Sequence, residues 1–229
     1  MVAQPIQDCD DAAPSPSTRM DGQTGMNPVR PSLRFSETMT GLVNKGSTDP
    51  VEGYKNAAAV AMSLRAAVTI ADLPAFLTDP EHRGRWDAGG AIPVWGGRIR
   101  STADGDFRLF QRAIVPDGKP VREMVYDTSI AVGEHTYLMR GQKIIQPGPP
   151  WRCWPATTTL YVTFFEPERP EQVMAAGILQ LTPLGFLRQL TTMRITGDFP
   201  SSVKLRQLRL FLKFFAGSLA RTYILGRRW

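Results

Sequence analysis

Four side chains in the middle of the chain carry groups that could act on a small molecule: Tyr126, Tyr137, Arg140 and Lys143. A tyrosine hydroxyl donates or accepts a hydrogen bond, whereas arginine and lysine only donate and so polarise a carbonyl or hold an anion. All four fall on two neighbouring runs that read as strands, which makes them the catalytic candidates if the protein turns over a substrate. The carboxylates Glu37, Glu123 and Asp127 also lie in strand-like runs, where a dry setting would raise their pKa and suit them to acid–base work. Alternation places Glu123 and Asp127 on the face opposite Met124, Tyr126 and Ile130, the face expected to meet solvent.

Other chemistries find less support. His82 sits in the polar turn Asp79-Pro80-Glu81-His82-Arg83-Gly84 and His135 follows a hairpin turn, so both are expected at the surface. Neither has a carboxylate or a second histidine at metal-ligand spacing, so no metal site is expected. Cys153 stands between Arg152 and Trp154; the arginine would lower the thiol pKa and burial would raise it, and an inert thiol is the expectation. No G-x-S-x-G elbow is present. Gly89-Gly90 and Gly96-Gly97 flank a short strand instead of joining a strand to a helix, and neither G-x-G-x-x-G nor G-x-x-x-x-G-K occurs. No nucleotide or flavin cofactor is therefore expected.

The elements that must position these residues are legible as patterns. The chain has 229 residues, 42% hydrophobic and 21% charged, which is enough to build a core and speaks against wholesale disorder. Residues 1–32 are rich in Pro, Ser, Asp and Gly and read as a disordered leader. From 33 onward, β-type runs alternate with turn residues at 33–43, 64–70, 91–100, 106–113, 121–132, 135–146, 157–165 and 173–182. The best hairpin turns at Gly133-Glu134, between a face of Met124, Tyr126, Thr128, Ile130 and Val132 and the run that carries Tyr137, Met139 and Ile145. Pro93 suggests a rim position.

Helices are expected after Asp72, with Pro74 in the first turn, and after Pro183, with Phe186, Leu187, Leu190 and Met193 on one face. The last and clearest repeats Leu205, Leu208, Leu212, Phe215 and Leu219, with Ser201 or Ser202 as cap. The fold class is thus mainly β, α+β at the C-terminus: an eight-stranded antiparallel, barrel-like (lipocalin-like) sheet over 33–200 with one or two C-terminal helices, the last spanning 201–229. Eight strands can enclose one small ligand. Phe107, Leu109, Tyr126, Thr159 and Tyr161 are the expected ligand-binding residues.

Charge and cysteine usage bound the setting. The net charge is +6, and 203–229 holds Lys204, Arg206, Arg209, Lys213, Arg221, Arg227 and Arg228 with no acidic residue. Such a helix suits an anionic membrane surface or a partner module. Aromatic residues near Arg108 and Arg112 carry no accompanying nucleic-acid signature, so no nucleic-acid partner is expected. No apolar run has the roughly 18–20 residues of a membrane-spanning helix. The start of the chain lacks the pattern of a signal peptide. Two cysteines, Cys9 and Cys153, make neither a disulfide framework nor a zinc site, and a cytoplasmic, reducing location follows.

Several segments carry a resemblance. Arg34-Phe35-Ser36-Glu37-Thr38-Met39-Thr40-Gly41, Gly105-Asp106-Phe107-Arg108-Leu109-Phe110, Met124-Val125-Tyr126, Tyr137-Leu138-Met139-Arg140-Gly141-Gln142-Lys143, Thr157-Thr158-Thr159-Leu160-Tyr161-Val162-Thr163, Gly177-Ile178-Leu179 and Phe186-Leu187-Arg188-Gln189-Leu190-Thr191-Thr192-Met193 stand in order over 33–222. Together they resemble a β-rich domain that follows the flavin module in cholesterol-oxidase-like GMC oxidoreductases, here without that module. One departure is Ala156, where that domain usually has an aspartate before the threonine run. The resemblance implies a domain that holds a hydrophobic molecule (sterol, terpenoid or lipid) as accessory to a lipid-modifying oxidoreductase. The alternative expectation is a cofactor-free isomerase or cyclase acting on a terpenoid or polyketide inside the barrel.

Overall fold

Apolar–polar alternation organises most of the chain into strands. The computed structural model describes residues 30–115 and 117–224, so positions 1–29 of the expected leader, Cys9, Arg227 and Arg228 lie outside the described residues. Among the described residues there are ten strands: β1 (Ser32–Lys45), β2 (Val60–Ile70), β3 (Arg83–Ile92), β4 (Gly97–Ser101), β5 (Gly105–Ile114), β6 (Pro120–Val132), β7 (His135–Ile145), β8 (Thr159–Glu166), β9 (Arg169–Gln180) and β10 (Arg194–Thr196). Five α-helices accompany them: α1 (Pro50–Lys55), α2 (Leu73–Thr78), α3 (Cys153–Thr158), α4 (Pro183–Thr192) and α5 (Ser201–Tyr223).

The pairing is antiparallel throughout and closes on itself. From β1 the path runs through β2 and β3, then through β4 and β5, which lie end to end between β3 and β6, and on through β7, β8 and β9. β9 returns to β1, from Thr40 opposite Gln180 to Lys45 opposite Ala175, and β10 pairs with the start of β1. This seam needs glycine. A Cβ on Gly41 would stand 2.0 Å from the Ile178 carbonyl oxygen, and one on Gly177 would stand 2.2 Å from that of Leu42. The β6–β7 link turns at Gly133, whose φ of 62° suits a glycine in a two-residue turn.

The mainly β class with a C-terminal helix is what the sequence predicts, but the strand count and several boundaries differ. The run 91–100 is not one strand. β3 ends at Ile92, Pro93–Trp95 forms a 3-10 turn, and Gly96 at φ 122° leads into β4. The rest of β3 lies outside the predicted runs because Arg83, Arg85, Asp87, Gly89 and Gly90 dilute its apolar pattern to Trp86, Ala88 and Ile92. The strand expected from 157 begins at Thr159, because Thr157 and Thr158 close α3. α1 has a readable signal, Asp49 accepting from the amides of Val51 and Glu52 ahead of Pro50. Neither Ser201 nor Ser202 caps α5; Pro200 holds the cap position without a side-chain bond.

The two ends of the ring are finished differently. At the end reached by the β6–β7 turn, Trp95 packs on Phe164 (centroids 5.6 Å apart) and Tyr137 (6.2 Å) above Ile99, Ile130 and Val132. At the other end lie α2, α3, α4 and α5. α5 crosses there with Phe211 against Phe35 and Phe76, and with Phe214 against Phe76, His82 and Phe110. His82 is therefore not a loose surface residue. Its Nδ1 lies 2.6 Å from the Phe76 carbonyl oxygen and its ring supports Phe214 at 4.6 Å. The buried stripe of α5 centres on Phe211, which leaves Leu205, Leu210 and Leu212 exposed. In α4, Leu187 is likewise exposed while Phe186 turns inward.

Candidate functional site

Strand alternation and the helices at one end together leave a cavity of about 530 Å³. Its strand walls include Phe35, Phe107, Leu109 and Met124, and α3, α4 and α5 close it with residues that include Trp154, Leu190 and Phe211. A break in register between Arg108 and Gln111, with Phe110 at φ 57°, puts both Leu109 and Phe110 inside. A bulge of this kind is a common way to re-aim side chains beside a site.

The floor is polar and dry. Glu37 comes from β1, whose odd-numbered residues Leu33, Phe35 and Met39 face inward beside it. Tyr126 comes from β6 and Lys143 from β7, each on the inward face of its strand. Tyr126 Oη donates to Glu37 Oε1 at 2.6 Å, and Lys143 Nζ donates to Glu37 Oε2 at 2.8 Å. The Lys143 ammonium also lies 5.3 Å from the centre of the Tyr126 ring, within cation–π range. Glu37 and Lys143 are each 2% exposed.

Burial, then the charge of Glu37 and the hydrogen bond to it, push the Tyr126 phenol well above its ordinary pKa. The phenol therefore remains a protonated donor at neutral pH. Lys143 makes one hydrogen bond among the described residues, to Glu37, and an ammonium has three N–H donors. Burying an ion pair is costly compared with an apolar pair of similar shape. A pair kept at the floor of a cavity is thus better understood as chemistry than as glue.

The structure brings together Phe107, Leu109, Tyr126 and Lys143 from the sequence-based candidates, all lining the cavity. It separates the others from it. Tyr137 shares the inward face of β7 with Lys143 but precedes it by six positions, about 20 Å at ~3.4 Å per residue, and packs with Trp95 and Phe164 at the far end. Arg140 is corrected to the outer face, where Nε donates to Asp127 Oδ1 at 3.1 Å and the guanidinium lies over Phe165. Thr159 and Tyr161 are corrected likewise, because Leu160, Val162 and Phe164 take the inward positions of β8.

Glu37, expected only as one of three strand carboxylates, is the member that the catalytic and ligand-binding candidates lack. Its signal was available: a lone acid at an inward position of an otherwise apolar-in strand. Glu123 and Asp127 do not line the cavity; burial raises the Glu123 pKa, and Asp127 pairs with Arg108 at 2.8 Å as well as with Arg140. For Cys153, burial pushes the thiol pKa up.

Among the described residues no three His, Cys, Asp or Glu side chains gather as a metal site, and no helix is long and apolar enough to cross a membrane. Comparison with protein-family models, with curated proteins and with solved structures returns no match.

Proposed function

We propose that the closed ring is a lipocalin-like barrel that binds one apolar small molecule, of sterol, terpenoid or lipid type, through a neutral hydroxyl or carbonyl end. One observation carries this: a cavity of about 530 Å³ with apolar walls that ends on the buried Glu37–Tyr126–Lys143 cluster. That volume lies within the roughly 300–1,000 Å³ of small-molecule sites, and a few convergent polar groups on an apolar wall are their usual make-up.

The charge of the floor selects the ligand end. Glu37 and Lys143 already offset each other, so a ligand carboxylate would bring an uncompensated charge into a dry setting. A hydroxyl or carbonyl oxygen asks only for a donor, and the remaining N–H groups of Lys143 supply it. The sequence resemblance to a domain of sterol-type oxidoreductases adds a role: accessory to a lipid-modifying enzyme.

Native mass spectrometry of the purified chain, with organic extraction of the same sample, tests the binding. A co-purifying neutral lipid, or tighter uptake of a long-chain alcohol or aldehyde than of the matching acid, is the expected result. Bound flavin, or no uptake of any of the three probes, would overturn it. Lys143→Met should weaken alcohol binding by about tenfold or more, as for a lost hydrogen bond to a charged group.

A second reading follows from the same cluster. Lys143 donating to a substrate carbonyl would polarise it in a water-poor site, which is how a cofactor-free isomerase or cyclase acting on a terpenoid or polyketide could work. Loss of turnover in Lys143→Met or Tyr126→Phe with substrate still bound would favour it over simple carriage.

A further inference from the structure

Three large apolar residues both line the cavity and face solvent, and they mark its mouth: Trp154 of α3, Leu190 of α4 and Leu212 of α5, at 41%, 40% and 38% exposure. The same three segments expose further large apolar side chains. Trp151 stands just before α3 at 76% exposure, Leu187 lies one turn before Leu190 at 59%, and Leu205 shares a helix face with Leu212 at 48%. A patch this rich in exposed tryptophan and leucine around an opening signals contact with something apolar.

Its charge narrows the partner. Segments 150–158 and 183–194 and helix α5 contain no Asp or Glu, while Arg152, Arg188, Arg194, Arg206, Arg209 and Lys213 are all exposed there. On α5, Leu205, Arg209 and Leu212 follow 3–4 residue spacing and Lys213 lies four residues after Arg209, so cations and leucines share one outward side. Leucines that can enter an acyl layer, tryptophans that favour its boundary and cations that reach phosphate groups suit an anionic bilayer. A protein lid would instead cover the opening that an apolar ligand must use.

We infer that this rim is a docking surface for an anionic lipid bilayer, which holds the mouth against the acyl phase. What it says about ligand delivery rests on the ligand-binding reading above; docking itself does not. The expectation is that the full chain co-sediments with vesicles of mixed phosphatidylcholine and phosphatidylserine, binds pure phosphatidylcholine weakly, and releases as salt rises. Trp151 and Trp154 should be quenched by brominated lipid. Trp151→Ser with Leu187→Ser, and separately Arg209→Glu with Lys213→Glu, should each lower vesicle affinity at least about tenfold while the circular dichroism and melting temperature stay unchanged. These positions are exposed and lie outside the cavity lining.

Absence of wild-type binding to the mixed vesicles would overturn the proposal, as would equal binding by folded variants of both kinds. So would self-association that the same substitutions abolish, which would assign the rim to a second copy of the chain. Uptake of 1-aminoanthracene in vesicle-free solution separates the two claims: vesicle binding without uptake leaves docking standing and removes the ligand-binding reading.

Discussion

The two ends of one sheet are built to opposite purposes. At the end with the β6–β7 turn, Trp95, Tyr137, Phe164 and their neighbours fill the ring with side chains. At the end crossed by α5, the same strands place a carboxylate, a phenol and an ammonium beneath a cavity. β7 shows the contrast within one strand, since Tyr137 and Lys143 point the same way and serve different ends. Filling one end can supply the stability that the hollow end gives up, so cavity and packed core are separated along the strands instead of between domains.

The contrast can be broken by substitution. Phe164→Ala should remove contacts on every side of a fully buried ring and cost about 3–5 kcal/mol, whereas Leu190→Ala, at the mouth, should cost under about 1 kcal/mol. Urea melts of the two variants compare them directly, and equal costs would mean that the cavity end is packed as tightly as the other. Glu37→Gln leaves the Lys143 ammonium without its counter-charge and should cost about 3 kcal/mol or more. Combining it with Lys143→Met should recover much of that loss, and failure to recover would show that the pair is not acting as a unit.

Alkaline pH sharpens the comparison further. The Tyr126 pKa is raised, by burial first, and Tyr223 is pushed up to about 12, also by burial. Both groups favour the fold in their neutral form. Their contribution is therefore complete below the ordinary phenol value near 10 and is lost as pH rises through the folded-state values. An ultraviolet titration should show tyrosinate appearing late, with Tyr126→Phe removing one late-ionising group. The smallest effect belongs to the outer surface: Arg140→Ala should change stability by less than about 1 kcal/mol and leave alcohol binding unaltered, in contrast to Lys143→Met.

Sequence made the faces legible and left the depth obscure. Tyr126, Phe107 and Leu109 were expected at a ligand and do line the cavity, whereas the stripe read along α5 was rotated: Leu205 and Leu212 face solvent and burial centres on Phe211. Alternation has no coordinate along the strand, so it could not separate Tyr137 at one end from Lys143 at the other. Thr159 and Tyr161 were misplaced because threonine and tyrosine suit either face of a strand, and only Leu160, Val162 and Phe164 settled the parity. Glu37 was legible as a carboxylate in a strand, but its pairing with Tyr126 and Lys143 was not, because those partners lie on strands far away in the chain and pairing over that distance has no local signature. The splitting of 91–100 did have one, in Pro93 followed by two glycines, which set a turn more strongly than the flanking residues set a strand.

β1 carries a burden of timing as well as of geometry. It pairs with β2 soon after it in the chain, yet its other edge is completed only by β9 and β10, with Gly41 opposite Leu179 and Leu33 opposite Ile195. On the ribosome, the first strand of the sheet must therefore wait with one bare edge until the last strands have emerged. Such long-range closure slows folding and exposes an edge that other chains can join. Newly made protein should accordingly depend on protection during synthesis far more than its finished, edge-closed form does.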